Sequence, residues 1–166
     1  MTARLGRYGE ATMTKLMIIA GTALTGAIGL TGTALADHPY AFTGTMLETT
    51  LSGAAEVPGP GDPDGSGITK LWLNHGQSEI CYEIMVTDIA LPATGAHIHE
   101  APAGSSGGVV VGLAAPNADG ASMGCTMVDQ ALIKEIRKNP ADYYINIHNA
   151  DYPAGAVRGQ LRKKNR

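Results

Sequence analysis

From residue 40 onward a glycine or proline interrupts the chain about every ten residues, and between the breaks apolar and polar side chains alternate. Helices need longer unbroken runs of 3.6-residue period, so a chain punctuated in this way is expected to form short strands joined by turns. About eight strands can be read, over 41–52, 67–74, 79–88, 95–100, 108–113, 120–128, 143–149 and 156–161. Glu56-Val57-Pro58-Gly59-Pro60-Gly61-Asp62-Pro63-Asp64-Gly65 is too rich in proline, glycine and aspartate to be other than a loop, and 74–77 forms a hairpin turn. On 67–74, Ile68 and Trp72 share one face, while Leu71 and Leu73 share the other with Thr69. That strand reads as apolar on both sides, which suits a central place in a sheet. One helical period follows Asp129, a suitable N-cap. Leu132, Ile133 and Ile136 line one face, and Asn139-Pro140 stops it. The expected class is all-β, a sandwich or barrel with one short helix.

The first 36 residues do not belong to that pattern. Arg4, Arg7 and Lys15 precede an apolar run over 16–30, and Ala34-Leu35-Ala36 has the small-x-small form at which a signal peptidase cuts. A signal peptide over 1–36 is therefore expected, with a domain over 37–166. Met13 begins a complete short leader of its own, so translation can start at Met1 or Met13. A retained anchor is the competing reading, but the run carries Gly21, Gly26, Gly29 and Gly32 and barely reaches the roughly 20 apolar residues of a membrane span. No second such run follows, so no membrane span is expected in the mature form. Cleavage would leave 9 basic and 14 acidic residues of the original 12 and 15. A mildly acidic domain of this kind is no nucleic-acid binder, and it should be secreted or periplasmic. The basic end, Arg162-Lys163-Lys164-Asn165-Arg166, reads as a solvated tail.

In an exported chain two cysteines imply a disulfide. Cys81 and Cys125 each lie in a strand-like run, and neither has the Cys-x-x-Cys spacing of redox or zinc sites. A bridge between them would tie two strands across a separation of 44 residues.

The histidines carry whatever chemistry the chain has. His97-Ile98-His99 on a strand puts two imidazoles on one face, with Cα atoms about 6.5–7 Å apart, and turns Ile98 into apolar packing. In Ile145-Asn146-Ile147-His148-Asn149 the isoleucines take one face and His148 the other. If the two strands are neighbours, three rings converge on a set suited to copper or zinc, with a fourth position open to water, Glu100, Asp151 or an outside ligand. Otherwise His97 and His99 are simply solvent-facing or hydrogen-bond to nearby backbone. His75 in a turn and His38 near the new N-terminus read as solvated, although an amino terminus at Asp37 with His38 beside it can hold Cu(II) weakly. There is no Gly-x-Ser-x-Gly elbow and no phosphate-cradling loop. Asp62 and Asp64 lack the ligand spacing of a calcium loop. Arg158 either steers anions toward the histidines or pairs with an acidic residue to lock the last strand.

Three segments together resemble the CHRD domain, the module named after chordin: Leu51-Ser52-Gly53-Ala54-Ala55-Glu56-Val57-Pro58, Ala96-His97-Ile98-His99-Glu100-Ala101, and Asn146-Ile147-His148-Asn149 through Tyr152-Pro153-Ala154-Gly155-Ala156-Val157-Arg158-Gly159-Gln160-Leu161. The resemblance spans essentially the whole mature chain. It implies a Greek-key β-sandwich of superoxide-dismutase-like or immunoglobulin-like form. Ala96-His97-Ile98-His99-Glu100 also looks like the copper-ligand strand of copper-zinc superoxide dismutase, whose His-x-His-Glu segment supplies two copper ligands. This chain has no counterpart of that enzyme's zinc loop, so dismutase activity is not expected. The leading expectation is an exported module that binds a transition metal, copper before zinc, through His97, His99 and His148 without turnover. The rival is a structural or adhesive module whose loops, including 53–66 and 101–107, hold an extracellular or periplasmic protein or polymer.

Overall fold

The computed structural model describes residues 42–164, which lie within one compact unit, His38–Arg166. The leader, its cleavage near Ala36 and the N-terminal His38 site fall outside the described residues. Nine strands and one helix follow in the order β1 Thr45–Ser52, β2 Ser66–Asn74, β3 Glu79–Thr87, β4 Gly95–Glu100, β5 Val109–Leu113, β6 Ala121–Met127, α1 Gln130–Lys138, β7 Tyr143–His148, β8 Val157–Gln160 and β9 Arg162–Lys163. Every expected strand is present, and the all-β class with one short helix is confirmed.

All pairings are antiparallel, and a single hydrogen-bonded path runs β5-β4-β7-β8-β1-β2-β3-β6. The chain crosses over between β3 and β4 and again between β6 and β7, as Greek-key connections do. The two end strands, β5 and β6, are consecutive in the chain and approach each other. Beside that seam Ser122 Oγ donates to Ala114 O at 2.7 Å, and Ala114 N donates to the Tyr82 hydroxyl at 2.9 Å. The sheet therefore curls into a nearly closed barrel rather than two separate layers.

Period-two alternation decides which side of each strand faces the barrel. Leu71 and Leu73 on β2, Ile80 and Ile84 on β3, Ala96 and Ile98 on β4, and Ile145 and Ile147 on β7 all point inward and are fully buried. α1 closes part of the core with Ile133 and Ile136. Asp129 caps it by accepting from the backbone N–H groups of Ala131 and Leu132. β2 is central, between β1 and β3, but it is not apolar-buried on both sides. Its outer Ile68 is 54% exposed, and Trp72 is half-buried, stacked on Phe42 at 4.3 Å. The barrel interior takes only one face of each strand. At the basic C-terminal end Arg162 and Lys163 form β9 on the edge of β1, with Arg162 Nη2 3.8 Å from Glu48 Oε1. No helix among the described residues is long and apolar enough to cross a membrane.

The disulfide forms as expected. Cys81 and Cys125 are register partners on β3 and β6, with Cα atoms 3.9 Å apart.

Candidate metal centre

The polar face of β4-β7-β8 lies outside the barrel, where loops cover it. Antiparallel register assembles it in rows: Gly95 opposite His148, His97 opposite Asn146 opposite Arg158, and His99 opposite Tyr144 opposite Gln160. β4 and β7 are hydrogen-bonded neighbours, so the adjacency on which the three-histidine reading depended is realised.

Ring centroids are 5.6 Å apart for His97 and His99, 5.0 Å for His97 and His148, and 6.1 Å for His99 and His148. One nitrogen from each ring lies within 4.8 Å of the others. Two ligands on opposite sides of an ion with bonds of about 2.0–2.1 Å stand about 4.2 Å apart, so modest rotamer adjustment brings all three within reach of one ion.

The hydrogen bonds select the ligand atoms. His99 Nδ1 is 3.0 Å from the Gly107 carbonyl and His148 Nδ1 is 3.0 Å from the Pro153 carbonyl. A carbonyl oxygen only accepts, so each Nδ1 carries the proton and each Nε2 keeps its lone pair. Both Nε2 atoms, and Nδ1 of His97, are buried without a hydrogen-bond partner. Three buried ring nitrogens without partners, one on each ring of the cluster, are costly unless something electrophilic satisfies them. Carbonyl-fixed tautomers of this kind are what orient imidazoles around metals. Burial, followed by the neighbouring imidazoles His148 and His99, holds His97 below its ordinary value. For His148 burial again lowers the pKa, and the Pro153 carbonyl works against it. The net lowering in both rings favours the neutral, ligating form.

His99 stacks on Tyr144 with centroids 4.8 Å apart and planes within 11°. The Tyr144 hydroxyl accepts from Gly107 N at 3.2 Å, so the 101–107 loop is pinned to the ring that supports His99. Gly95 leaves room for the cluster: a Cβ there would sit 3.1 Å from His97 Cε1 and 3.5 Å from His148 Cδ2. Gly95→Ala is accordingly expected to push the two rings apart and weaken metal binding severalfold while leaving the thermal midpoint nearly unchanged. Calorimetric titration beside a melting curve checks this.

Glu100 and Asp151, the expected sources of a fourth ligand, do not join the cluster, and both are exposed. His75 lies in the short 3-10 turn after β2, away from it. Arg158 is 2% exposed, with its guanidinium carbon 3.4 Å from the Tyr144 ring centroid and Nη2 donating to Pro102 O at 3.3 Å. It is held by an aromatic face and a carbonyl, and the acid that feels its charge is Glu56.

Glu56 was not expected. Its loop reads as pure turn, yet it folds back over the polar face and leaves the side chain 7% exposed, with Oε2 accepting from Asn146 Nδ2 at 3.3 Å. Burial pushes its carboxyl from 4.5 up to about 7, against the opposing pull of Arg158, Asn146 and the Val57 backbone N–H. A lone Glu before Val-Pro gives no signal of burial, because the contact is made across 90 residues.

The raised pKa fixes a sign. The folded state binds an extra proton between pH 4.5 and 7, so stability contributed by protonated Glu56 is present at acid pH and lost as pH rises through 7. Glu56→Gln removes that dependence. Between pH 5 and 8 the wild type should lose on the order of 2 kcal/mol relative to the variant, read from paired denaturation curves. Identical pH profiles would sink it.

The model of one family, described as the CHRD domain, matches residues 47–161. No curated protein and no solved structure matches the chain.

Proposed function

The chain belongs to the CHRD domain family, and from that premise we propose that it is an exported β module that binds one transition-metal ion through Nδ1 of His97 and Nε2 of His99 and His148, without turnover. The observation that carries this reading is the convergence of three buried, unpartnered imidazole nitrogens, two of them with tautomers set by backbone carbonyls. An all-imidazole set suits copper and zinc. Copper is preferred because for a given set of nitrogen ligands it binds more tightly. Export is supported by the leader-like pattern of 1–36 and by a disulfide that fits an oxidising compartment. The bound ion would serve metal handling or a metal-dependent contact.

The test is calorimetric titration of the mature protein with Cu(II) and with Zn(II). Saturable one-to-one binding, tighter for copper, supports the proposal. Heats equal to dilution for both ions overturn it and leave a disulfide-tied interaction module.

A further inference from the structure

Away from the histidines, the outer face of β3 and β6 carries a second group of ligand atoms. Antiparallel register sets Glu79 opposite Met127, Cys81 opposite Cys125 and Glu83 opposite Met123, so the two cysteines have carboxylates before and after them on β3 and thioethers before and after them on β6. The two sulfurs and a Glu79 carboxylate oxygen lie within 4.8 Å of one another. Glu79 Oε1 stands 3.1 Å from Cys81 Sγ. A disulfide sulfur carries no hydrogen, so the carboxylate gains nothing from this contact until a proton or a cation lies between the two atoms. Cys81 is 1% exposed, but Cys125 and Glu79 are half-buried and Met127 is 72% exposed, so two of the three ligand residues reach solvent.

When the bridge is opened, the pairing of β3 with β6 from Glu79–Met127 to Met85–Ala121 still holds the two thiols face to face. Zinc takes thiolate sulfur at about 2.3 Å and carboxylate oxygen at about 2.0–2.2 Å in a tetrahedron, which puts two sulfurs about 3.8 Å apart and a sulfur and an oxygen about 3.5 Å apart. Both spacings fall within the 4.8 Å that the three ligand atoms already span. Soft thiolates suit zinc or Cu(I), and the carboxylate favours zinc. We propose that Cys81, Cys125 and Glu79 form a zinc site that exists only in the reduced protein, with water in the fourth position. A dithiol reductant opens it: the reductant's two S–H bonds break and its own disulfide closes, while the Cys81–Cys125 bond takes up the two electrons and two protons to give two thiols. Zinc then displaces both thiol protons to solvent and ties β3 to β6 in place of the covalent bridge. The site is independent of the three histidines.

The mature protein is reduced with a dithiol, freed of it under nitrogen and titrated with Cd(II), a stand-in for zinc whose ultraviolet thiolate charge-transfer band reports sulfur ligation and is silent for imidazole. The expected result is a band that saturates at one ion per pair of thiols, that Zn(II) displaces, and that the oxidised protein does not give. Glu79→Gln leaves both cysteines in place and should weaken binding to the reduced protein at least tenfold. Glu83→Gln is the matched control: Glu83 also neighbours Cys81 on the outer face of β3, but it pairs with Lys70 at 3.3 Å and lies outside the ligand group, so this variant should bind within twofold of wild type. In a His97→Ala/His148→Ala background, where the histidine centre is gone, Zn(II) should raise the melting midpoint of the reduced protein and leave that of the oxidised protein unchanged. The proposal is overturned if no band saturates in the reduced protein, if the oxidised protein gives the same band, if Glu79→Gln binds as the wild type does, or if zinc leaves the reduced midpoint where it was.

Discussion

A His97→Ala/His148→Ala variant is expected to lose one-to-one copper binding, with affinity falling by on the order of a thousandfold or more. Three nitrogens form the set, and the variant leaves only His99 Nε2. Losing a group that merely orients a ligand typically costs 10- to 100-fold in metal affinity, and here two ligands themselves disappear. The fold should survive. His97 and His148 are only half-buried, they lie outside the barrel, and the residues beneath them, Ala96, Ile98 and Ile147, are unchanged. Far-UV circular dichroism and a melting curve establish that the variant is folded, and calorimetry then reports the site alone. His75→Ala, in a surface turn, is the matched control and should bind as the wild type does. Binding within tenfold of wild type in the double variant would place the ion elsewhere and remove the centre described above.

The second large effect concerns stability. Cys81→Ala/Cys125→Ala, or reduction of the wild type, is expected to lower unfolding free energy by about 4 kcal/mol, the loop-closure value for a bridge across this separation. The sequence separation is 44 residues, and the loop so closed contains β4 and β5, including His97 and His99. In the unfolded chain the bridge keeps β3 near β6, two strands the Greek-key path must bring together without a hairpin. Alanine is the right replacement because Cys81 is 1% exposed, and a serine hydroxyl there would add an unsatisfied polar group. A loss of this size is a large share of the 5–15 kcal/mol typical of a domain, and it should lower the thermal midpoint by more than about 10 °C. Guanidinium unfolding of oxidised, reduced and variant protein measures it. A difference below about 1 kcal/mol would mean that the unfolded chain is already compact enough for the bridge to constrain little.

Which features the residues disclosed, and which they hid, follows from how local each one is. The strands were legible because alternation and glycine or proline breaks act over a few residues. So was α1, whose cap lies within three residues of what it caps. The His97/His99 pair was legible because period two alone puts both rings on one side. The exposed face of β2 was misread: Ile68 and Trp72 alternate as buried residues would, and only the placement of the core on the opposite side leaves Ile68 in solvent. β9 was missed because two residues carry no period, and their pairing is with β1, more than 100 residues earlier.

The amino-acid order by itself determined an all-β chain with one short helix, a disulfide between the only two cysteines, and two histidines on one strand face, since each of these depends on residue type and near-neighbour spacing. Only the tertiary structure decided that β4 lies beside β7 so that His148 completes the set, that the Gly107 and Pro153 carbonyls choose which nitrogens stay free, and that Glu56 is buried against Asn146 within reach of the charge of Arg158. These are contacts between segments tens of residues apart. They arise from register across the sheet and from loops folding back over it, and neither leaves a periodic trace in the residues it joins.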